Sequence, residues 1–61
     1  MDKLIGKYAY KKRGFFSGIV GRIEKNYEGF SPYVLVYKTG SATGFHKRNE
    51  IELYEGEIDA N

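Results

Sequence analysis

Closely spaced glycines interrupt an apolar, strand-favouring stretch at residues 13–25, R-G-F-F-S-G-I-V-G-R-I-E-K. Gly14, Gly18 and Gly21 lie four and three residues apart. Because glycine has no Cβ and readily adopts positive φ, it marks turns, bulges and close backbone approaches in a β context. The stretch therefore predicts a turn at Gly14 that leads into a bent strand. A bulge at Gly18 or Gly21 would also let Val20 reach the core.

Strand patterns recur along the rest of the chain. Period-two alternation and a high content of β-branched and aromatic residues predict five strands, and none of the apolar patterns is long enough for a useful helix. The predicted strands are residues 4–11, 17–25, 33–38, 42–46 and 50–54. Asn, Gly, Ser and Pro predict a loop at 26–32 and a tight turn at 39–41, and one 3₁₀ turn is expected within 46–49.

The first predicted strand has two candidate inner faces. One face carries Leu4, Gly6, Tyr8 and Tyr10, and the other carries Ile5, Lys7, Ala9 and Lys11. Hydrophobicity favours burial of the tyrosine face, although tyrosines also serve as exposed contact residues. In the later strands Ile19, Gly21 and Ile23 share one face, as do Ile51 and Leu53.

The chain length allows one domain, close to the lower size limit for independent folding. The sequence has no cysteine, so no disulfide can compensate for a small core. Five short strands with tight turns favour a small barrel, since closure removes exposed sheet edges. A 3₁₀ turn before the last strand is typical of an SH3-like barrel. We expect an all-β, five-stranded SH3-like barrel at residues 1–55 and an acidic, flexible tail at 56–61.

Between residue 5 and about residue 25 the chain resembles the KOW motif of SH3-like barrels, which occurs in some ribosomal proteins and transcription elongation factors. The resemblance rests on five positions in the order of that motif: Gly6, Gly14, Gly18, Gly21 and Ile23. It implies binding of RNA or of proteins of the transcription and translation machinery. The later strands are also compatible with Tudor-like domains and with small bacterial barrel proteins.

The chain departs from the KOW pattern at one position. The pattern also implies the opposite orientation of the first strand from the one that hydrophobicity favours. Lys7 stands where the family usually has an acidic residue. The alignment also places Ala9 inside the barrel and Tyr8 and Tyr10 outside, against the interpretation from hydrophobicity.

The residues present argue against catalysis, cofactor or metal binding, and membrane insertion. The sequence has one histidine, His46, no cysteine and no P-loop or nucleophile-elbow motif, so we expect no enzyme, no cofactor and no metal site. The absence of a long apolar run and of a signal-peptide pattern leads us to expect a cytoplasmic protein without membrane contact. Basic residues dominate residues 1–25, whereas residues 49–61 carry only acidic charges.

Two groups of residues are candidate binding sites. The basic cluster couples cations, which attract phosphates, to phenylalanines, which stack on unpaired bases; its members are Lys11, Lys12, Arg13, Phe15 and Phe16. Its structural alternative is a solvated hairpin with one phenylalanine plugging the barrel. The aromatic loop cluster could stack bases or hold a peptide; its members are Tyr27, Phe30, Tyr33, His46, Lys47 and Arg48. Its alternative is a small core that seals the barrel end.

In a meander of five strands, alternate turns lie at the same end. The basic cluster is therefore expected near the turn at 39–43, and the loop at 27–33 near residues 46–48. The functional expectation is a non-catalytic module that binds RNA or single-stranded DNA through a basic and aromatic face. The alternative is a protein-interaction module of bacterial or phage origin that uses its aromatic surface or a sheet edge. A monomer or weak homodimer is expected.

Overall fold

The computed structural model describes residues 3–56 and confirms the predicted all-β class. Five strands form one antiparallel sheet, and one 3₁₀ turn precedes the last strand. The strands are β1 (Tyr8–Lys11), β2 (Gly21–Lys25), β3 (Tyr33–Val36), β4 (Ala42–Phe45) and β5 (Ile51–Leu53), and the 3₁₀ turn is Arg48–Glu50. Apart from Gly56, the predicted tail lies outside the described residues.

The strand order in the sheet is β4-β3-β2-β1-β5. The first four strands pair with their neighbours in the chain, and β5 returns to pair with β1. Ala9 of β1 consequently lies opposite Gly21 of β2 and Leu53 of β5. Within residues 3–56 no strand pairing joins β4 to β5, so the sheet keeps two edges and is not closed by hydrogen bonds.

One inner face of the curved sheet forms the core. Every strand contributes one residue that is fully or almost fully buried, and one further residue follows β3: Ala9, Ile23, Leu35, Phe45, Ile51 and Tyr37. A flat five-stranded sheet would separate its edge strands by about 19 Å, at about 4.8 Å a spacing. Because the edge residues Phe45 and Ile51 belong to one buried cluster, the sheet curves around its core.

The structure decides between the two faces of β1. Ala9 is fully buried, whereas Tyr8 and Tyr10 are half-buried on the outer face. The expectation from hydrophobicity is wrong, and the orientation is the one that the KOW alignment implies. The physical reason is the strand register. Ala9 pairs with Gly21, and Gly21 lies on the same face of β2 as Ile23, so Ala9 faces the core.

Two predicted strands begin later than the pattern indicates. Residues 3–6 form a turn in which Lys7 N donates to Leu4 O at 3.1 Å, with Gly6 at φ +92°. Residues 17–20 lie outside β2, so Val20 is half-buried and does not join the buried cluster. Turn-forming hydrogen bonds occur in both segments, although Gly6 N still donates to Ile23 O of β2 at 2.9 Å.

The hairpin between β3 and β4 confirms the predicted tight turn. Gly40 N donates to Tyr37 O at 3.0 Å, and Tyr37 N donates to Ser41 O at 2.9 Å. Gly40 has φ +89°, the left-handed conformation that follows a type I turn in a hairpin with a bulge. This turn holds Tyr37 at the end of β3, on the same face as Leu35.

Candidate functional site

The β1–β2 loop (residues 12–20) is built from two successive β-turns. In the first, Ser17 N donates to Gly14 O at 3.2 Å, and Phe16 is the third residue with φ +62°. The second follows directly, with Gly18 as its third residue at φ +80°. Positive φ at the third position is typical of type II turns, where glycine is favoured. One of the two turns therefore places a phenylalanine where glycine is normal.

The loop is tied to the end of β1. Gly18 N donates to Lys11 O at 3.0 Å, and Lys11 also forms an isolated parallel bridge with Ser17. These bonds keep the loop folded against β1 instead of extending it along the sheet. The strand predicted to start at Ser17 therefore starts at Gly21.

Phe16 combines a strained backbone with an aromatic contact. Positive φ in a bulky residue costs about 1–3 kcal/mol and persists only where the surroundings impose it. The Phe16 ring lies 5.4 Å from the ring of Tyr37, tilted by 35°. Phe16 remains 44% exposed, so it covers Tyr37 from the solvent side. The contact places Phe16 beside the residue at which the β3–β4 turn begins; for the rest of the basic cluster, a position near residues 39–43 stays a prediction.

The cations of the basic cluster open onto one cleft. Its volume is about 410 Å³, and its lining residues are Lys11, Lys12, Arg13, Asn49 and Glu50. Phe15 belongs to the same loop and is 86% exposed. The structure thus places three cations and an uncovered aromatic ring on one short segment.

Two carboxylates, Glu50 and Glu52, lie beside the cleft and offset part of the charge of its three cations. Lys12 Nζ lies 3.7 Å from Glu52 Oε2, but both side chains are about half exposed, and such surface pairs contribute little. Glu50 Oε2 accepts a hydrogen bond from His46 N at 3.0 Å. Among residues 3–56, Lys11 and Arg13 form no ion pair.

The outer face of β2 offers no comparable positive charge. Arg22 Nε donates to Glu24 Oε2 at 3.0 Å, and a second guanidinium nitrogen contacts the same oxygen. The hydrogen bond that Arg22 donates to Glu24 raises the pKa of Arg22. The two residues therefore form a pair with no net charge.

The β2–β3 loop (residues 26–32) displays two aromatic side chains. Asn26 organises it: Nδ2 donates to Ser31 O at 2.6 Å, and Oδ1 accepts from Glu28 N at 3.1 Å. Tyr27 is 86% exposed and Phe30 is 99% exposed. Neither ring seals the end of the sheet, which is the structural alternative considered for them.

Tyr33 and His46 have different surroundings from those two rings. Tyr33 is half-buried and stacks on Phe45 at 5.2 Å with an interplanar angle of 18°, so it extends the core. His46 Nε2 lies 3.2 Å from Ser31 Oγ. His46 therefore lies beside the β2–β3 loop, as the meander predicts.

The 3₁₀ turn after His46 leads toward the basic cleft. Arg48 Nη1 donates to Ile51 O at 3.3 Å, and the next two residues, Asn49 and Glu50, line the basic cleft. His46 meets the expectation that residues 46–48 lie at the β2–β3 loop, and for Lys47 and Arg48 that expectation stays a prediction. β5 runs antiparallel to β1 and begins opposite Lys11, so the preceding turn must approach the basic cluster.

Three residues of this region escaped the interpretation of the sequence. Asn49 and Glu50 reach the cleft only through the pairing of β5 with β1, for which the local sequence carries no signal. Tyr37 had a signal: it follows Tyr33 and Leu35 at period two and so shares their inner face.

Residues 3–56 contain no group of three or more His, Asp or Glu side chains that could hold a metal ion. No helix in that range is long and apolar enough to cross a membrane. Comparisons with protein-family models, curated proteins and solved structures found no match to this chain. The function must therefore be inferred from the residues themselves.

Proposed function

We propose that this chain is a non-catalytic module that binds RNA or single-stranded DNA through the basic cluster. The carrying observation is the joint position of the cleft cations and the 86%-exposed ring of Phe15. Cations release counterions from phosphates, and an exposed ring stacks on a base of any sequence. Double-stranded nucleic acid keeps its bases stacked, so an exposed ring favours the single-stranded form.

The proposed architecture is a small SH3-like barrel that closes by curvature and not by a strand pairing. The shared core of the edge residues Phe45 and Ile51 supports it, as does the 3₁₀ turn between β4 and β5. In such a barrel the β1–β2 loop and the 3₁₀ turn border one surface, which is the arrangement of the cleft. The proposal assigns this surface, and not the β2–β3 loop, to the nucleic acid.

The test is the affinity for an oligouridine of about eight nucleotides, measured at about 50 and 200 mM salt. A triple variant carries Lys11→Gln, Lys12→Gln and Arg13→Gln. Each phosphate contact with a single strand contributes about −0.7 to the slope of log K against log salt. If each of the three cations contacts one phosphate, the magnitude of this slope should be smaller by about 2 in the triple variant. Affinity at the lower salt should fall at least about tenfold.

A matched control removes the same charge elsewhere, with Lys3→Gln, Lys7→Gln and Lys25→Gln, three exposed positions outside both candidate clusters. This control should keep most of the affinity and the slope. Equal losses in both variants would show that binding depends only on net charge and would overturn the assignment of the site. Absence of binding by the wild-type protein at low salt would overturn the proposed function.

A protein partner is the second candidate, favoured by the β2–β3 loop. Asn26 holds this loop in a defined shape while Tyr27 and Phe30 stay exposed. Preorganised aromatic side chains are typical anchors of protein interfaces. Capture of a protein that survives nuclease treatment, and is lost with Tyr27→Ala and Phe30→Ala, would support this candidate.

A further inference from the structure

The side chain of Tyr37 has an unsatisfied polar atom. The residue is 5% exposed, its hydroxyl is fully buried, and within the described chain this oxygen has no hydrogen-bond partner. Leaving a buried hydroxyl unpaired is costly, and such groups in folded proteins call for an explanation. The core alone does not require it, since phenylalanine would fill the same volume without the cost.

The residue that covers Tyr37 carries the strained backbone of the β1–β2 loop. Phe16 is the third residue of its turn, with φ +62°, and it is partly exposed. The unpaired hydroxyl of Tyr37 and the positive φ of Phe16 are both unfavourable, and the rings of these two residues are in contact. A displacement of Phe16 away from Tyr37 would let the loop relax and would open the hydroxyl to a partner.

We infer that Phe16 and Tyr37 form a slot for one unpaired nucleotide, whose base stacks between the two rings while the Tyr37 hydroxyl bonds to its sugar or phosphate. The inference rests on the proposed function and names Phe16 and Tyr37 as the residues that bind one base of that ligand. The basic cluster, on the same loop, would hold the adjoining phosphates.

The required movement is small. The ring centroids are 5.4 Å apart, whereas a planar base between two rings needs about 7 Å, twice the carbon contact distance of about 3.5 Å. An opening of roughly 1.5–2 Å in a surface loop therefore suffices. The loop borders open space, because a Cβ built on Gly18 meets no atom within 4 Å.

Tyr37 remains a neutral phenol under ordinary conditions, since its burial raises the pKa of the hydroxyl above its usual value of about 10. A neutral hydroxyl can both donate and accept a hydrogen bond. It can therefore bond to a sugar hydroxyl or a phosphate oxygen of the stacked nucleotide, whereas an apolar slot would give stacking alone.

The direct test uses the wild-type protein with the same oligouridine. We expect nuclear Overhauser contacts between base protons and the ring protons of both Phe16 and Tyr37. Contacts to Phe15 only, with the resonances of Tyr37 unchanged, would overturn the inference and leave a surface stacking site. Contacts from an aromatic or proline-rich peptide, and none from the oligonucleotide, would overturn it in favour of a peptide slot.

The variant test uses Tyr37→Phe, with Tyr10→Phe as the control for loss of a half-buried tyrosine hydroxyl. Tyr37→Phe should weaken oligouridine binding about three- to tenfold, the effect of one hydrogen bond, with the melting temperature unchanged or raised. A residue with a purely structural role would not combine weaker binding with undiminished stability. Tyr10→Phe should leave the affinity unchanged.

The two proposals fail in different ways. If the triple cation variant loses affinity while Tyr37→Phe binds as tightly as the wild type, the slot is wrong and the nucleic-acid function stands. If neither variant changes the affinity, both proposals are wrong.

Discussion

A methyl group added at Gly21 would lie 2.8 Å from Cδ1 of Tyr37 and 3.1 Å from the carbonyl oxygen of Val36. Gly21 is buried, and its φ lies outside the positive range, so alanine would be allowed there by the backbone alone. The glycine is therefore needed for space. The absence of a side chain at Gly21 leaves room for the ring of Tyr37 to pack on β2, beneath Phe16.

Gly21→Ala should consequently lower the free energy of unfolding by about 1–3 kcal/mol, the usual cost of overpacking a core. Chemical denaturation measures the loss, and the ring resonances of Tyr37 and Phe16 should shift with it. Gly18→Ala is the comparison, since its cost should come from a positive φ and not from a clash. Its cost should be about 1 kcal/mol, with little change at Tyr37. A stable Gly21→Ala variant with unchanged ring resonances would contradict the packing described here.

Phe16 offers a test of backbone strain. Phe16→Ala and Phe16→Gly both remove the ring, but only glycine accepts φ +62° without strain. Glycine normally destabilises a folded chain relative to alanine; here we expect Phe16→Gly to be more stable than Phe16→Ala by about 1 kcal/mol. Thermal or urea unfolding of the two variants gives the difference. The opposite order would show that the loop carries no strain at this residue.

Asn26 should control the order of the β2–β3 loop. Asn26→Ala removes both side-chain hydrogen bonds, whereas Asn26→Asp keeps the acceptor for Glu28 N and loses the donor to Ser31 O. We expect Asn26→Ala to cost about 1–2 kcal/mol and Asn26→Asp to cost less. Amide hydrogen exchange at residues 27–31 should be faster in both variants, and most of all in Asn26→Ala. Equal exchange in all three proteins would be inconsistent with the role given to Asn26.

The buried hydroxyl of Tyr37 predicts a loss of stability in alkali. The unfolded chain releases this proton near the ordinary pKa of about 10, whereas burial raises the pKa in the folded state. The unfolded state therefore binds fewer protons above about pH 10, and stability falls as the pH rises; the contribution is fully present below that pH. Urea unfolding at several pH values from neutral to about 11 should show this decline. Tyr37→Phe should reduce its slope, and an unchanged slope would show that Tyr37 is not the group responsible.

The prediction of the sheet from the sequence succeeded where local chemistry is decisive. The run that contains Val34, Leu35 and Val36 forms a strand because its β-branched and apolar residues suit both sides of a pleated sheet. Gly40 forms its turn because glycine accepts the left-handed conformation there. The prediction was less good at residues 17–20, where apolar side chains suggested a strand and backbone hydrogen bonds formed turns instead.

The candidate site could be predicted only in part. The basic cluster is contiguous in the chain, so its coherence was visible in the order of the residues. The approach of Asn49 and Glu50 to that cluster joins two distant segments and follows from the place of β5 beside β1. No local pattern distinguishes that pairing from an unpaired edge strand.

By itself, the sequence determined the all-β class, the number of strands and most of the turns, since these depend on residues that are close together in the chain. The tertiary structure alone decided that Ala9, and not Tyr8 or Tyr10, faces the core, because strand register sets which side chains point inward. It also placed Phe16 over Tyr37 and Asn49 beside the cations. Those contacts join residues far apart in sequence, and only the curvature and pairing of the sheet bring them together.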